Sequence, residues 1–243
     1  MSATNKKLRA ERAAALMAER ERQAKQRQRL TVAGIVLGLV LVVAAGFTIN
    51  RLRDTSDEVD DASESAAVYG LAVGPDDAPH EVVVYEDFLC PVCGAFEAAS
   101  HEQLAALAEA GKVQVTYRPF VLLDRLGDYS ARTAAAFSVV LDKAGPEVAK
   151  KFHDLLFENQ PPEEGPMPDD DEIVALAVEA GADEAEVGDA IRDLSGEDWA
   201  NGATEAAVDA GVSSTPTVLL DGARFTDGRT MEQVAENLVK AVQ

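Results

Sequence analysis

The pattern of apolar and polar positions changes character along the chain. No charged residue occurs from Leu30 to Asn50, and Leu30–Ile49 is almost wholly apolar. Twenty residues at the α-helical rise cover ~30 Å, the thickness of a bilayer's hydrocarbon core. The run therefore predicts a transmembrane helix over 30–50. Asp54–Ala67 (DTSDEVDDASESAA) is acidic and poor in large apolar residues. Such a segment cannot bury a core, and it predicts a flexible linker over 51–67.

From Val68 onward the periods of folded structure take over. Val68–Val73 reads as a short strand or hairpin arm, closed by Gly74-Pro75-Asp76-Asp77. Glu81–Glu86 is a β-branched run suited to a buried strand, and Val113–Tyr117 alternates as a second one. Between them Pro91–Ala110 carries Val92, Phe96, Leu104 and Leu107 at helical spacing, with Gly111 as the stop. Strand, helix and strand with short joints predict a parallel crossover. Helices are expected over Ser130–Lys143, Glu147–Glu158, Asp171–Glu179, Asp183–Leu194 and Glu197–Ala210, broken by a proline-rich loop over 160–168. Thr217–Leu220, Asp221-Gly222 and Ala223–Phe225 predict a type I′ hairpin, and Thr230–Val242 an amphipathic closing helix. The predicted order is β-α-β, a helical block over about 120–210, then β-β-α.

Charge adds an orientation. Residues 1–29 carry nine Lys and Arg against three Glu, whereas beyond Arg53 there are 40 acidic and 11 basic residues. A basic flank before the apolar run predicts a cytoplasmic segment over 1–29 and an extracytoplasmic domain after the span. A cleaved signal peptide is the rival reading, supported by the small residues Ala44-Ala45-Gly46 and opposed by the length of both the basic and the apolar segments. The acidic domain argues against nucleic acid as a partner.

The chain has two cysteines, Cys90 and Cys93, in Asp87-Phe88-Leu89-Cys90-Pro91-Val92-Cys93, where the first strand meets the first helix. A structural zinc site would need further ligands, and His80, His101 and His153 stand at no ligand spacing. A purely structural disulfide across so short a loop would constrain the unfolded chain little. Thiol–disulfide exchange suits the pair best. Pro91 fits the first helical position, which places Cys90 at the N-cap. There the free backbone N–H groups and the positive helix end stabilise a thiolate. Cys93, one turn inside, is the expected resolving thiol.

With that motif and with Gly211-Val212-Ser213-Ser214-Thr215-Pro216-Thr217 before the hairpin, the chain resembles the DsbA-like thiol–disulfide oxidoreductases over roughly Val68–Gln243. These are α/β proteins with a thioredoxin fold and a helical insertion. The resemblance implies catalysis by Cys90 and Cys93 without cofactor or metal. It implies a cis Pro216, and a substrate-binding surface of Pro91, Val92, Thr215 and Pro216. Its implied partners are exported polypeptides with free thiols and a membrane-embedded reoxidising protein. The chain departs from the family in two places. Val92 stands where strongly oxidising members tend to carry histidine, and Val84 where thioredoxin-like proteins usually bury an acid. Glu86 has the same strand parity and is a candidate to stand in for proton transfer, with Asp87 adjacent; the favoured, plainer reading makes both solvated strand-end carboxylates. Disulfide reduction or isomerisation, or a redox-inactive binding domain, are the alternative activities. His153 reads as a helix-face residue without catalytic duty, and Trp199 as core of the insertion.

Overall fold

The structure is a computed structural model that describes residues 68–243. The expected cytoplasmic segment 1–29, transmembrane helix 30–50 and linker 51–67 lie outside the described residues. Among the described residues no helix is long and apolar enough to cross a membrane.

The elements in chain order are β1 (Leu71–Val73), β2 (His80–Glu86), α1 (Pro91–Glu109), β3 (Val113–Pro119), a 3-10 turn (Asp124–Leu126), α2 (Tyr129–Ala144), α3 (Pro146–Glu158), α4 (Asp170–Ala180), α5 (Glu184–Arg192), α6 (Glu197–Asp209), β4 (Thr217–Leu220), β5 (Ala223–Arg224) and α7 (Met231–Ala241). They form a five-stranded sheet in the order β1-β3-β2-β4-β5. β2 pairs parallel with β3, matching Val82 with Val115 and Val84 with Tyr117. Every other pairing is antiparallel. The βαβ…ββα order is therefore present, with five helices inserted between β3 and β4. β1 pairs with β3 across the edge of the sheet.

β2 is the central strand, and both of its faces are covered. Val82 and Val84 pack with Phe96 and Leu104 of α1 and Leu238 and Val239 of α7. Val83 and Tyr85 pack on the opposite face with Phe120, Val212 and Leu219. A strand buried on both sides reads as a continuous apolar run, which explains the sequence Val82-Val83-Val84-Tyr85. The hairpin forms as expected: Asp221 (φ 52°) and Gly222 (φ 81°) both take positive φ, as a type I′ turn demands. Asp221 also anchors the far strand, accepting from the Glu81 backbone N–H at 2.9 Å.

The insertion has its own core, built from Phe137, Phe152, Leu156, Ile173, Val187 and Ile191. Phe88, Cys90 and Cys93 belong to this same cluster, so the insertion forms the wall behind the cysteines. Trp199 packs against Phe137, ring centroids 5.9 Å apart, and edge-on against Tyr69. Helix termini follow local chemistry. Asp169 and Glu172 form a reciprocal capping box at α4, and the Thr230 hydroxyl accepts from the Gln233 N–H at α7.

Candidate active site

Cys90 is the N-cap of α1, with extended backbone angles (φ −74°, ψ 113°), and Pro91 opens the helix. No oxygen-bearing side chain caps this helix end. Its free N–H groups are left to the Cys90 sulfur, the arrangement that favours a thiolate. Both cysteines are free thiols. The Cys93 thiol hydrogen-bonds to Cys90, and together with the Thr215 side chain and the N–H groups of Cys93 and Val92 it outweighs burial and brings Cys90 down to about 6. The Cys90 sulfur also lies 3.6 Å from the Thr215 carbonyl oxygen, to which it donates only while protonated. Cys93 goes the other way. Burial raises it well above a free thiol, and its hydrogen bond to Cys90 and the charges of Cys90 and Glu86 add to the rise. One sulfur is held as an anion at a helix end and the other as a buried thiol one turn inside.

The residues expected around Cys90 gather there. Pro91 and Val92 are exposed, Val92 by 47%. Thr215 is half-buried, and Pro216 is buried behind it with the Thr215–Pro216 peptide bond cis. The apolar surface beside Cys90 is therefore Pro91 and Val92, with the Thr215 backbone opposite.

The two acids before the motif require a correction: neither is solvated. Glu86 and Asp87 are both fully buried, because α2 and α3 of the insertion close over the end of β2. Asp87 is a bracket. Its Oδ1 accepts from the Leu89 N–H (2.9 Å) and the Ser130 hydroxyl (2.7 Å), and its Oδ2 from the N–H groups of Leu122 (2.8 Å) and Leu123 (2.9 Å). It ties the end of β2, the approach to Cys90, the β3–α2 connection and α2 to one carboxylate.

His153 also requires correction. It does lie on a face of α3, as expected, but that face is fully buried and the imidazole sits in a polar cluster, surrounded by Phe88, Tyr117, Phe137 and Phe157. Its Nε2 lies 2.6 Å from Glu86 Oε1 and its Nδ1 3.0 Å from Asp154 Oδ1. Burial alone would lower its basicity, but Glu86 and Asp154 raise it to about 9. Glu97 of α1, which no sequence motif singles out, is also buried, and burial followed by the charge of Glu86 pushes its carboxyl upward. Glu86, Glu97 and His153 bring three ligand-capable atoms within 4.8 Å of one another. Sequence spacing could not reveal this group, since its members come from β2, α1 and α3.

Gln160 is a further residue that sequence reasoning missed, set in a segment legible only as a loop. Its Nε2 donates to the carbonyls of Phe88 (2.8 Å) and Cys90 (3.0 Å), steadying the chain on both sides of Leu89. The approach needs glycine at 94, where a Cβ would lie 2.6 Å from Gln160 Oε1. The signal available in the sequence was an amide directly before Pro161-Pro162, a polar side chain at a fixed point of a stiff loop.

Comparison with known proteins gives a consistent pattern. A family model described as Thioredoxin matches residues 66–240. A curated relative, a probable disulfide bond formation protein D of Bacillus cereus, is 27% identical over 134 residues, which span 54% of this chain and 59% of the relative. The reduced form of a disulfide bond oxidoreductase, DsbG, from Mycobacterium tuberculosis aligns at a TM-score of 0.62 and 29% identity, covering 75% of this chain and 92% of that one. Reduced DsbA from the same organism aligns at 0.60 and 29%, covering 71% and 91%.

Proposed function

This chain belongs to the thioredoxin family, and from that premise we propose that it is a protein thiol–disulfide oxidoreductase that introduces disulfides into exported polypeptides through Cys90 and Cys93. The observation that carries the reading is the placement of the two sulfurs, Cys90 at the N-cap of α1 and Cys93 fully buried one turn inside, which lowers the one thiol and raises the other. In the oxidised protein a client thiolate attacks the Cys90 sulfur. A client–Cys90 disulfide forms, the Cys90–Cys93 bond breaks, and Cys93 leaves with a proton. A second client thiolate attacks the client sulfur of the mixed disulfide and Cys90 leaves as the stabilised thiolate. The client gains a disulfide, and its two electrons rest on the Cys90/Cys93 pair.

Pro91, Val92, Thr215 and Pro216 serve this chemistry as the surface on which an extended client segment lies, with the Thr215 backbone as its hydrogen-bonding rail. Glu86, buried near Cys93, keeps the proton-transfer role its strand parity suggested. The charge-free run 30–50 between a basic segment and an acidic domain supports a single-pass anchor, an N-terminus in the cytoplasm and the folded domain at 68–243 outside the membrane. A membrane-embedded partner would then reoxidise the pair.

A Cys93→Ser variant tests the assignment. It is expected to accumulate client disulfides on Cys90 that a reductant releases, while Cys90→Ser accumulates none; trapping through Cys93 instead would reverse the roles. Direction is read from the reduction potential. A thiol at about 6 lies between the values of thioredoxin and DsbA, so a potential above the −270 mV or so of thioredoxin is expected. A potential at or below that figure would make the protein a reductase.

A further inference from the structure

We propose that Glu86, Glu97 and His153 form a binding site for a divalent transition cation of the zinc class, apart from the sulfur pair. Their three ligand atoms lie within 4.8 Å of one another, and all three side chains are buried. A tetrahedral cation with ligands at ~2.0–2.1 Å holds them roughly 3.3 Å apart. A contraction of about 1.5 Å at the widest pair therefore closes the site.

Independent features point to a cation rather than to a stray cluster of acids. Both Glu97 oxygens and Glu86 Oε2 are buried without any hydrogen-bond partner. Buried carboxylate oxygens are normally satisfied, so three orphaned oxygens in one cluster point to a missing partner. The imidazole is aimed by a carboxylate: Asp154 Oδ1 lies 3.0 Å from Nδ1, and Lys150 pairs with Asp154 in turn. A carboxylate holding the far nitrogen is the usual support of a metal-binding histidine, and it turns Nε2 toward Glu86 and Glu97. Binding a divalent ion would release two protons, one from His153 and one from Glu97, both of which the buried site holds more tightly than usual. The two carboxylates and neutral imidazole that remain neutralise the ion in a low-dielectric interior. The cation would take the place of the proton now shared between His153 Nε2 and Glu86 Oε1, 2.6 Å apart.

The donor set selects the ion. An imidazole with two carboxylates suits zinc and its neighbours, whereas calcium wants six or more oxygens and magnesium keeps most of its water. A cavity of about 50 Å³, lined by residues that include Gly94, Glu97, Ala98, His101, Asp154 and Glu158, lies beside the cluster. That is room for the fourth ligand and a route of entry.

The test uses the full-length protein with Cys90 and Cys93 joined as a disulfide, so that the thiols cannot bind metal. Zinc sulfate is titrated in competition with a chromophoric chelator. One saturable site is expected, weakened on the order of 10-fold to 100-fold or more in Glu97→Gln and in His153→Gln, and unchanged in Glu163→Gln, an exposed loop position. Cobalt at the same site should give visible bands without a thiolate charge-transfer band. Zinc should also raise the melting temperature of the wild type and not that of Glu97→Gln. Glu97→Gln keeps the shape of the side chain and removes a carboxylate ligand, so it decides the matter by itself if His153→Gln does not fold. No saturable binding, or binding undiminished in Glu97→Gln, overturns the proposal.

Discussion

Two sulfurs of the same element type differ here because one sits at the mouth of a helix and the other one turn inside it. Cys90 gains backbone N–H groups and the Cys93 thiol as donors, whereas burial, first, and then its hydrogen bond to Cys90 and the charges of Cys90 and Glu86 hold Cys93 as a thiol. Alkylation by iodoacetamide of the reduced protein should therefore follow a single titration with its midpoint near pH 6, vanish in Cys90→Ser, and persist in Cys93→Ala with the midpoint moved upward, since the Cys93 hydrogen bond is the largest cause of the shift. The same ionisation makes a stability prediction. A thiol with a depressed folded value stabilises the fold above its unfolded value and loses that contribution as pH falls through its folded one. The stability of the reduced protein over the oxidised one should grow between about pH 6 and pH 8.5, on the order of 3 kcal/mol in total, and be flat below pH 6. Val92 sets how far the effect goes. It brings neither charge nor hydrogen bond to Cys90, and Val92→His should lower the Cys90 value further. Because position 92 is 47% exposed, solvent limits the gain to about one unit, or about 30 mV toward a stronger oxidant in a glutathione equilibrium.

Elements meet at the end of β2, and the joint is Asp87. One carboxylate receives the N–H groups of Leu89, Leu122 and Leu123 and the Ser130 hydroxyl, so it couples the first residues of the redox loop to the start of the insertion. Asp87→Asn would point an amide NH₂ at backbone donors and orphan at least one of them in a buried site. A loss of about 3 kcal/mol in urea unfolding is expected, with slower client oxidation as Cys90 loses its fixed approach. Each helix expected in the insertion forms within a residue or two of its predicted bounds, because Gly181, Pro146 and the Asp169–Glu172 box act within one or two turns of their own position. β1 was legible as a strand but not its partner, since pairing with β3 depends on which sheet edge the fold leaves open. Glu86 was legible only in part: its parity placed it on the inner face, while its burial came from α3, a helix 60 residues further along the chain.

At the scale of the whole molecule, charge and topology act together. The chain beyond Arg53 carries 40 acidic and 11 basic residues, and a net charge of that sign is expected to favour encounter with cationic clients over anionic ones. A basic cysteine peptide should be oxidised at least about 10-fold faster than an acidic one at low ionic strength, with the gap closing in ~1 M salt, as followed by stopped-flow kinetics. The sequence by itself determined what depends on neighbours a few positions away: the helical and strand periods, the caps, the type I′ turn, and a cysteine placed at a helix N-terminus with its partner one turn in. Only the tertiary structure decided which groups lose water and meet. His153 and Glu86 stand 67 positions apart, and their contact exists because α3 docks over the end of β2 and excludes solvent from both. Periodicity reports which face of an element is apolar; it carries no record of which distant element will cover a polar residue on that face, and desolvation by that cover is what turns Glu86, Glu97 and His153 from ordinary side chains into one buried site.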